Sequence, residues 1–260
     1  IQAFSPRLRC LPTLPCDWIN PHLYKPQPFE QRSTDIVMVA NWGEFKRHWD
    51  LFRALARMPA DLKVVLIGQR EPGRSQETIR ALAKACGVPQ KLEIHESIPI
   101  HEVAAHQSRA KVSVIMSRRE GCCVAAVESL FAGCALAMRE DAHVGPLAYI
   151  GPDTGRRLRP AHMAEDLMAL LAEAKNLDPH RWATGHLACH ISRQRVNAFL
   201  KEETLKAGRP WTRDIIQPQW RPHPTYADTG ERESLRPAFN ELRSRFPSLF
   251  PEDFLEESWR

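Results

Sequence analysis

No stretch of this 260-residue chain approaches the roughly 18 consecutive apolar residues that cross a bilayer, and its start lacks the pattern of a secretory signal. A soluble protein is expected. Cysteine occurs seven times, at Cys10, Cys16, Cys86, Cys122, Cys123, Cys134 and Cys189, without a CxxC pair or metal-ligand spacing. An odd count without that spacing argues against a disulfide framework or a zinc site and points to a reducing compartment, the cytoplasm. A polybasic block is missing too: 36 basic and 31 acidic side chains leave a net charge of +5. This speaks against nucleic acid as a partner and fits a local site for a phosphorylated ligand. There is neither an internal repeat nor a low-complexity tract. The first residue is Ile1 rather than Met, and the chain reads as a fragment.

With 43% hydrophobic and 26% charged residues, the chain can build one core of about 150–200 residues plus appendages. Residues 1–34 carry Pro6, Pro12, Pro15, Pro21, Pro26 and Pro28, which forbid long helices and read as a leader or linker. From Asp35 the pattern changes. Short apolar runs at 35–41, 62–68, 91–97, 111–117 and 134–138 read as strands, and they alternate with amphipathic helices at 48–58, 75–87, 100–110 and 124–133. Continuous Val, Ile and Leu in the strands, with helices between them, predict an α/β fold with a doubly wound parallel sheet, Rossmann-like, over residues 35–190. In such sheets ligands sit beyond the carboxyl ends of the strands, so the loops at 41–47, 68–74, 96–100 and 117–123 matter most. Further helices are expected at 161–176 and from 178, the latter with Pro179 in its first turn. The tail, 191–260, reads as helical and irregular, with a final short helix near 235–245. Its Trp211, Trp220 and arginines suit stacking on nucleic acid, but packing of the tail on a surface is the simpler reading.

The segment with most chemistry is SRREGCCVAAVESLFAG, residues 117–133. Glu120 falls in a strand-to-helix turn and Glu128 inside an apolar helix, where an unpaired carboxylate is costly, so Glu128 needs a cleft or a donor. Ligand hydroxyls are natural donors. Gly121 lets a ligand approach the backbone, and the amides after it lie at a helix N-terminus that favours anions and sugar oxygens. A helix-capping Glu120 and a surface Glu128 are the plainer alternative. Cys122 and Cys123 read either as thiols activated at that N-terminus or as small apolar fillers of a tight turn. His95, His101 and His106 fall one on a strand and two on a helix, five apart, so they are not expected to share a face for a metal.

EGCCVAAVE resembles the glutamate, seven residues, glutamate motif of retaining GT-B glycosyltransferases, and the SLFAGCALAM that follows is similar to the helix, glycine and strand of family 4, the glycogen-synthase-like type. The resemblance implies that Glu120 touches the transferred hexose, that Glu128 holds the ribose hydroxyls, and that Gly121, Cys122, Cys123 and Val124 line the sugar site. Where the family often has an aromatic residue and glycine, this chain has Cys122 and Cys123. VANWGEFKRHWDLFRAL, residues 39–55, resembles the family loop in which an arginine and a lysine clasp the diphosphate. Lys46 takes the lysine position. Asn41 stands at the arginine position, with Arg47 as a substitute. As a plain helix start, Lys46 and Arg47 would be solvated charges. The stretch around Ile98 is similar to the family segment that frames the base, and residues 141–160 to a variable glycine-containing loop before a hairpin and a helix.

The resemblance, over about residues 35–175, implies the donor-binding half of a retaining glycosyltransferase, with Lys46 and Glu120 as catalytic residues. The implied partners are a nucleoside-diphosphate sugar and an unknown acceptor. No cofactor is implied, and no metal, because no DxD-like pair stands beside the phosphate loop. Acceptor chemistry and any peripheral membrane contact would belong to an amino-terminal domain. A non-catalytic nucleotide-sugar-binding module and a GT-B-like epimerase stay open.

Overall fold

Each apolar run with its following amphipathic stretch forms one strand-helix unit in the computed structural model, which describes residues 5, 8–11, 13–219, 225–226 and 228–250. The strands are β1 (Thr34–Val39), β2 (Val64–Gly68), β3 (Leu92–Glu96), β4 (Ala110–Ile115), β5 (Ala135–Arg139) and β6 (Gly155–Leu158). Between and after them run α1 (His48–Leu55), α2 (Gln76–Ala85), α3 (Ile100–Ser108), α4 (Val124–Phe131), α5 (Met163–Glu173) and α6 (Pro179–His186). The sheet order is β3-β2-β1-β4-β5-β6, and every neighbouring pair is parallel. This is the doubly wound α/β fold expected from the sequence.

Chain contacts divide the protein into two compact units, Pro21–His186 and Ile1–Asn20 with Leu187–Arg260. In the first, β2 and β5 are buried along their whole length, and Trp42, Phe52, Phe131, Leu66 and Met38 are among the largest fully buried side chains. The start of this unit was read as leader, yet it is fastened to the sheet. Arg32 donates to the carbonyls of Gln27 and Ala110 at 3.0 Å each, and the Thr34 amide donates to the Arg109 carbonyl at 3.1 Å. Within residues 141–160, where a loop is expected, β6 is instead a strand: it extends the sheet in parallel beside β5, held from outside by the bidentate pair of Arg156 with Glu173.

Gly68 ends β2 under Trp42. A Cβ there would lie 2.4 Å from the Ala40 carbonyl oxygen and 2.6 Å from the Trp42 ring, so only glycine lets the two strand ends close. Gly68→Ala is expected to cost about 1–3 kcal/mol, an overpacking penalty, read as a lower urea midpoint at unchanged slope. A midpoint equal to the wild type's would contradict this packing.

The other unit is built on α7 (Cys189–Lys206), which buries Cys189, Ser192 and Val196. The Cys189 amide donates to the Ile19 carbonyl (3.1 Å) and the Arg193 Nε to the Ile215 carbonyl (2.8 Å), so the chain after α7 folds back along it. A short ladder of β7 (Pro218–Gln219) with β8 (Thr225–Tyr226), then α8 (Thr229–Glu233) and α9 (Arg236–Arg245), follow. The final helix lies where it was expected. Trp211 donates its indole N–H to Asp214 at 2.8 Å, while Trp220, Pro6 and Pro12 lie outside the described residues.

Candidate functional site

Strand order reverses between β1 and β4, so the crevice of this sheet opens beyond their carboxyl ends. Two loops enter it, one from β1 to α1 and one from β4 to α4. The first starts with Trp42, fully buried, whose indole N–H donates to Glu96 at 2.7 Å. Glu96 also accepts from the Gln76 amide at 2.8 Å, so one carboxylate at the end of β3 fastens the loops after β1 and β2. A single 3-10 turn, Glu44–Lys46, and Arg47 in the left-handed region (φ 55°) then lead into α1. The second loop passes through buried Ser117 to Glu120 and Gly121, and Cys123, also left-handed (φ 49°), starts α4. Ser97, after β3, is the third non-glycine residue with positive φ among the described residues. All three follow a strand at its carboxyl end. Side chains rarely adopt this conformation, and such strain gathers where a ligand is held.

Lys46 Nζ lies 2.9 Å from Glu120 Oε2, with side chains only 17% and 9% exposed. Both line a cavity of about 10 Å³ with Met38, Ser117 and Cys123 among its walls, room for one water at most. The two loops therefore bring their expected reactive side chains together across the reversal point. Gly121 is exposed beside them, and a Cβ added there would meet nothing within 4 Å.

The other expected residues stand differently. Asn41 donates to Glu71 Oε1 at 2.5 Å and accepts from the Gly43 amide. Arg47 donates to Asp50 at 2.6 Å and lies over the Trp49 ring, while Asp50 also takes buried Arg139 at 2.7 Å. Glu128 is buried in α4, 2% exposed and partnered, and it is not among the residues lining the small cavity. Cys122 and Val124 are half-buried at the start of α4, and Ile98 is half-buried in the loop after β3.

Burial, with Glu120 close by, pushes the Cys123 thiol up to about 12, which makes that residue a filler rather than an activated thiol. All seven cysteines are free thiols. The histidine expectation needs a correction. His101 is exposed, but His95 and His106 pack ring to ring with centroids 4.4 Å apart, His106 from the last turn of α3 meeting His95 from β3. Sequence spacing carried no signal for this, nor for the Trp42–Glu96 and Asn41–Glu71 pairs.

His48, in the first turn of α1, is buried against Trp42 and Phe52. Burial, and then the charges of Lys46 and Arg74, push its imidazole down to about 4. Between this value and the unfolded value near 6.5 only the unfolded chain takes up a proton, so stability is complete above pH 6.5 and drains away as pH falls towards 4. The loss should approach roughly 3 kcal/mol. Urea unfolding at pH 7.5 and 4.5 checks it: His48→Leu should lose less than the wild type by about that amount.

The profile described as glycosyl transferases group 1 matches residues 22–184. A search of curated proteins found no match. Among solved structures, sucrose-phosphate synthase from Thermosynechococcus elongatus is similar at 20% identity and TM-score 0.60, over 73% of this chain and 52% of the other. HepE of Anabaena, in complex with UDP and glucose, is similar at 13% and 0.57, over 71% and 55%. The carboxyl-terminal domain of LpcC, a group 1 glycosyl transferase of Francisella tularensis, is similar at 15% and 0.54, over 64% of this chain and 97% of that domain. The chain thus spans about half the length of the first two. At these identities the likeness is one of fold. Among the described residues no helix is long and apolar enough to cross a membrane.

Proposed function

The chain belongs to the group 1 glycosyl transferases, and from that premise we propose that its α/β unit holds a nucleoside-diphosphate sugar at the β1/β4 rim for retaining transfer to an acceptor. The observation that carries this is the meeting of Lys46 and Glu120, one from each loop of the reversal point. Lys46 would turn to the diphosphate, where a point charge offsets the negative charge that grows on the leaving phosphate. Glu120 would take the hexose hydroxyls, with the amides after Gly121 supplying donors at the start of α4. Retention needs the acceptor to arrive on the face that the phosphate leaves, so the protein's work is positioning and charge stabilisation. Glu128 is proposed for the ribose hydroxyls and the Ile98 loop for the base. The complex of HepE with UDP and glucose supports a donor of this class. The extra length of the relatives supports an acceptor-bearing half beyond this chain.

Two features favour a second reading, a module that binds nucleotide sugar without transferring it. Asn41 stands where the family has arginine and is held by Glu71, and Cys122 and Cys123 alter the sugar loop. Calorimetric titration with UDP-, GDP- and ADP-sugars, then an assay for sugar release by the intact protein, separates the two. Saturable binding with release supports transfer, binding alone supports the module, and no binding of any donor overturns both.

Gly121→Ala refines the test. With nothing for its Cβ to meet, the variant should keep the wild-type thermal midpoint while losing about tenfold in donor affinity, because the methyl group occupies ligand space. Unchanged affinity would remove Gly121 from the site.

A further inference from the structure

We propose that Glu93, His95 and His106 form a binding site for a divalent first-row transition metal ion, with Zn²⁺ as its fitting occupant, on the β3–α3 face of the sheet edge. Among the described residues this is a group of three metal-ligating side chains whose ligand atoms all lie within 4.8 Å of one another. The fold accounts for it. Glu93 and His95 are two apart on one strand, so their side chains leave β3 on the same face. The last turn of α3 sets the His106 ring against that of His95. The inference does not rest on the donor site, whose residues are others.

Two imidazoles and one carboxylate are a donor set that suits zinc and its first-row neighbours, with the remaining coordination position left to water. Bonds of about 2.0–2.2 Å in a tetrahedron place donor atoms about 3.3 Å apart. His95 Nε2 and Glu93 Oε1 are 2.6 Å apart, sharing a proton that the ion would displace, so this pair opens by a few tenths of an ångström while the wider separations, all within 4.8 Å, close towards the same spacing. Side-chain torsion supplies this, since His95 and Glu93 are 29% and 56% exposed. One group opposes the ion. Arg109 lies 3.3 Å from His106 Nδ1, and a metal on the other ring nitrogen would require a proton at Nδ1 that faces the guanidinium. Arg109 would therefore swing out, and it weakens the site as it stands. Bound metal would clip the edge strand β3 to α3.

The test uses the tag-free chain, titrated with Co²⁺ followed by its visible absorption and with Zn²⁺ by calorimetry, beside the thermal midpoint. One ion per chain should bind and raise the midpoint. His95→Ala and His106→Ala should each weaken binding at least tenfold, His101→Ala should leave it unchanged, and Arg109→Gln should tighten it several-fold. The proposal is overturned by absence of binding at millimolar metal. It is equally overturned by affinity that survives both histidine substitutions, by dependence on His101, or by indifference to Arg109→Gln.

Discussion

Lys46→Met is expected to weaken binding of a nucleoside-diphosphate sugar by about 10- to 100-fold, the cost of one charge-assisted hydrogen bond to phosphate. The replacement keeps the stem that lies among the walls of the cavity, so the loss would report the charge. It leaves Glu120, whose side chain is 9% exposed, without its 2.9 Å partner, and a drop of about 1–3 kcal/mol in stability should accompany the loss. Titration well below the thermal midpoint distinguishes lost affinity from lost fold. Wild-type affinity in Lys46→Met would take the diphosphate away from this loop.

Glu120→Gln should act in opposite directions on two ligands. In the ligand-free protein Glu120 competes with phosphate for Lys46, so its neutralisation should raise affinity for a bare nucleoside diphosphate severalfold. Transfer by the intact protein should fall by about 10²–10³, the size expected when a group that holds the reacting sugar in a water-poor site is removed. A purely structural ion pair would lower both quantities together. The split is thus the signature of a carboxylate that guards the lysine until a sugar arrives.

The sheet was legible because its strands declare themselves: VVLIG in β2 and ALAM in β5 are continuous apolar runs, as burial on both faces demands. β6 escaped notice for the same physical reason. As an edge strand with sequence GRRL it turns arginine to solvent and to Glu173, and its glycine and charges resemble a loop. The Lys46–Glu120 meeting could be anticipated from the resemblance, which gives both loops to one donor site, and the strand order puts them side by side. The tethers around it could not, since Asn41 with Glu71, Trp42 with Glu96 and Arg139 with Asp50 join residues 30, 54 and 89 positions apart. Local pattern carries no trace of such pairs. His95 and His106 were misjudged likewise, because spacing along a helix or strand says nothing about which helix closes over which strand. Glu128 shows the middle case: its cost of burial was foreseen, and it sits in α4 buried and with a partner.

A crystal structure of the chain soaked with a nucleoside-diphosphate sugar measures the account most directly. Lys46 Nζ should have left Glu120 for a phosphate oxygen, with Glu120 on the hexose and the nucleotide lying across the ends of β1 and β4. A nucleotide bound elsewhere, with the Lys46–Glu120 pair still closed at its present 2.9 Å, would contradict it.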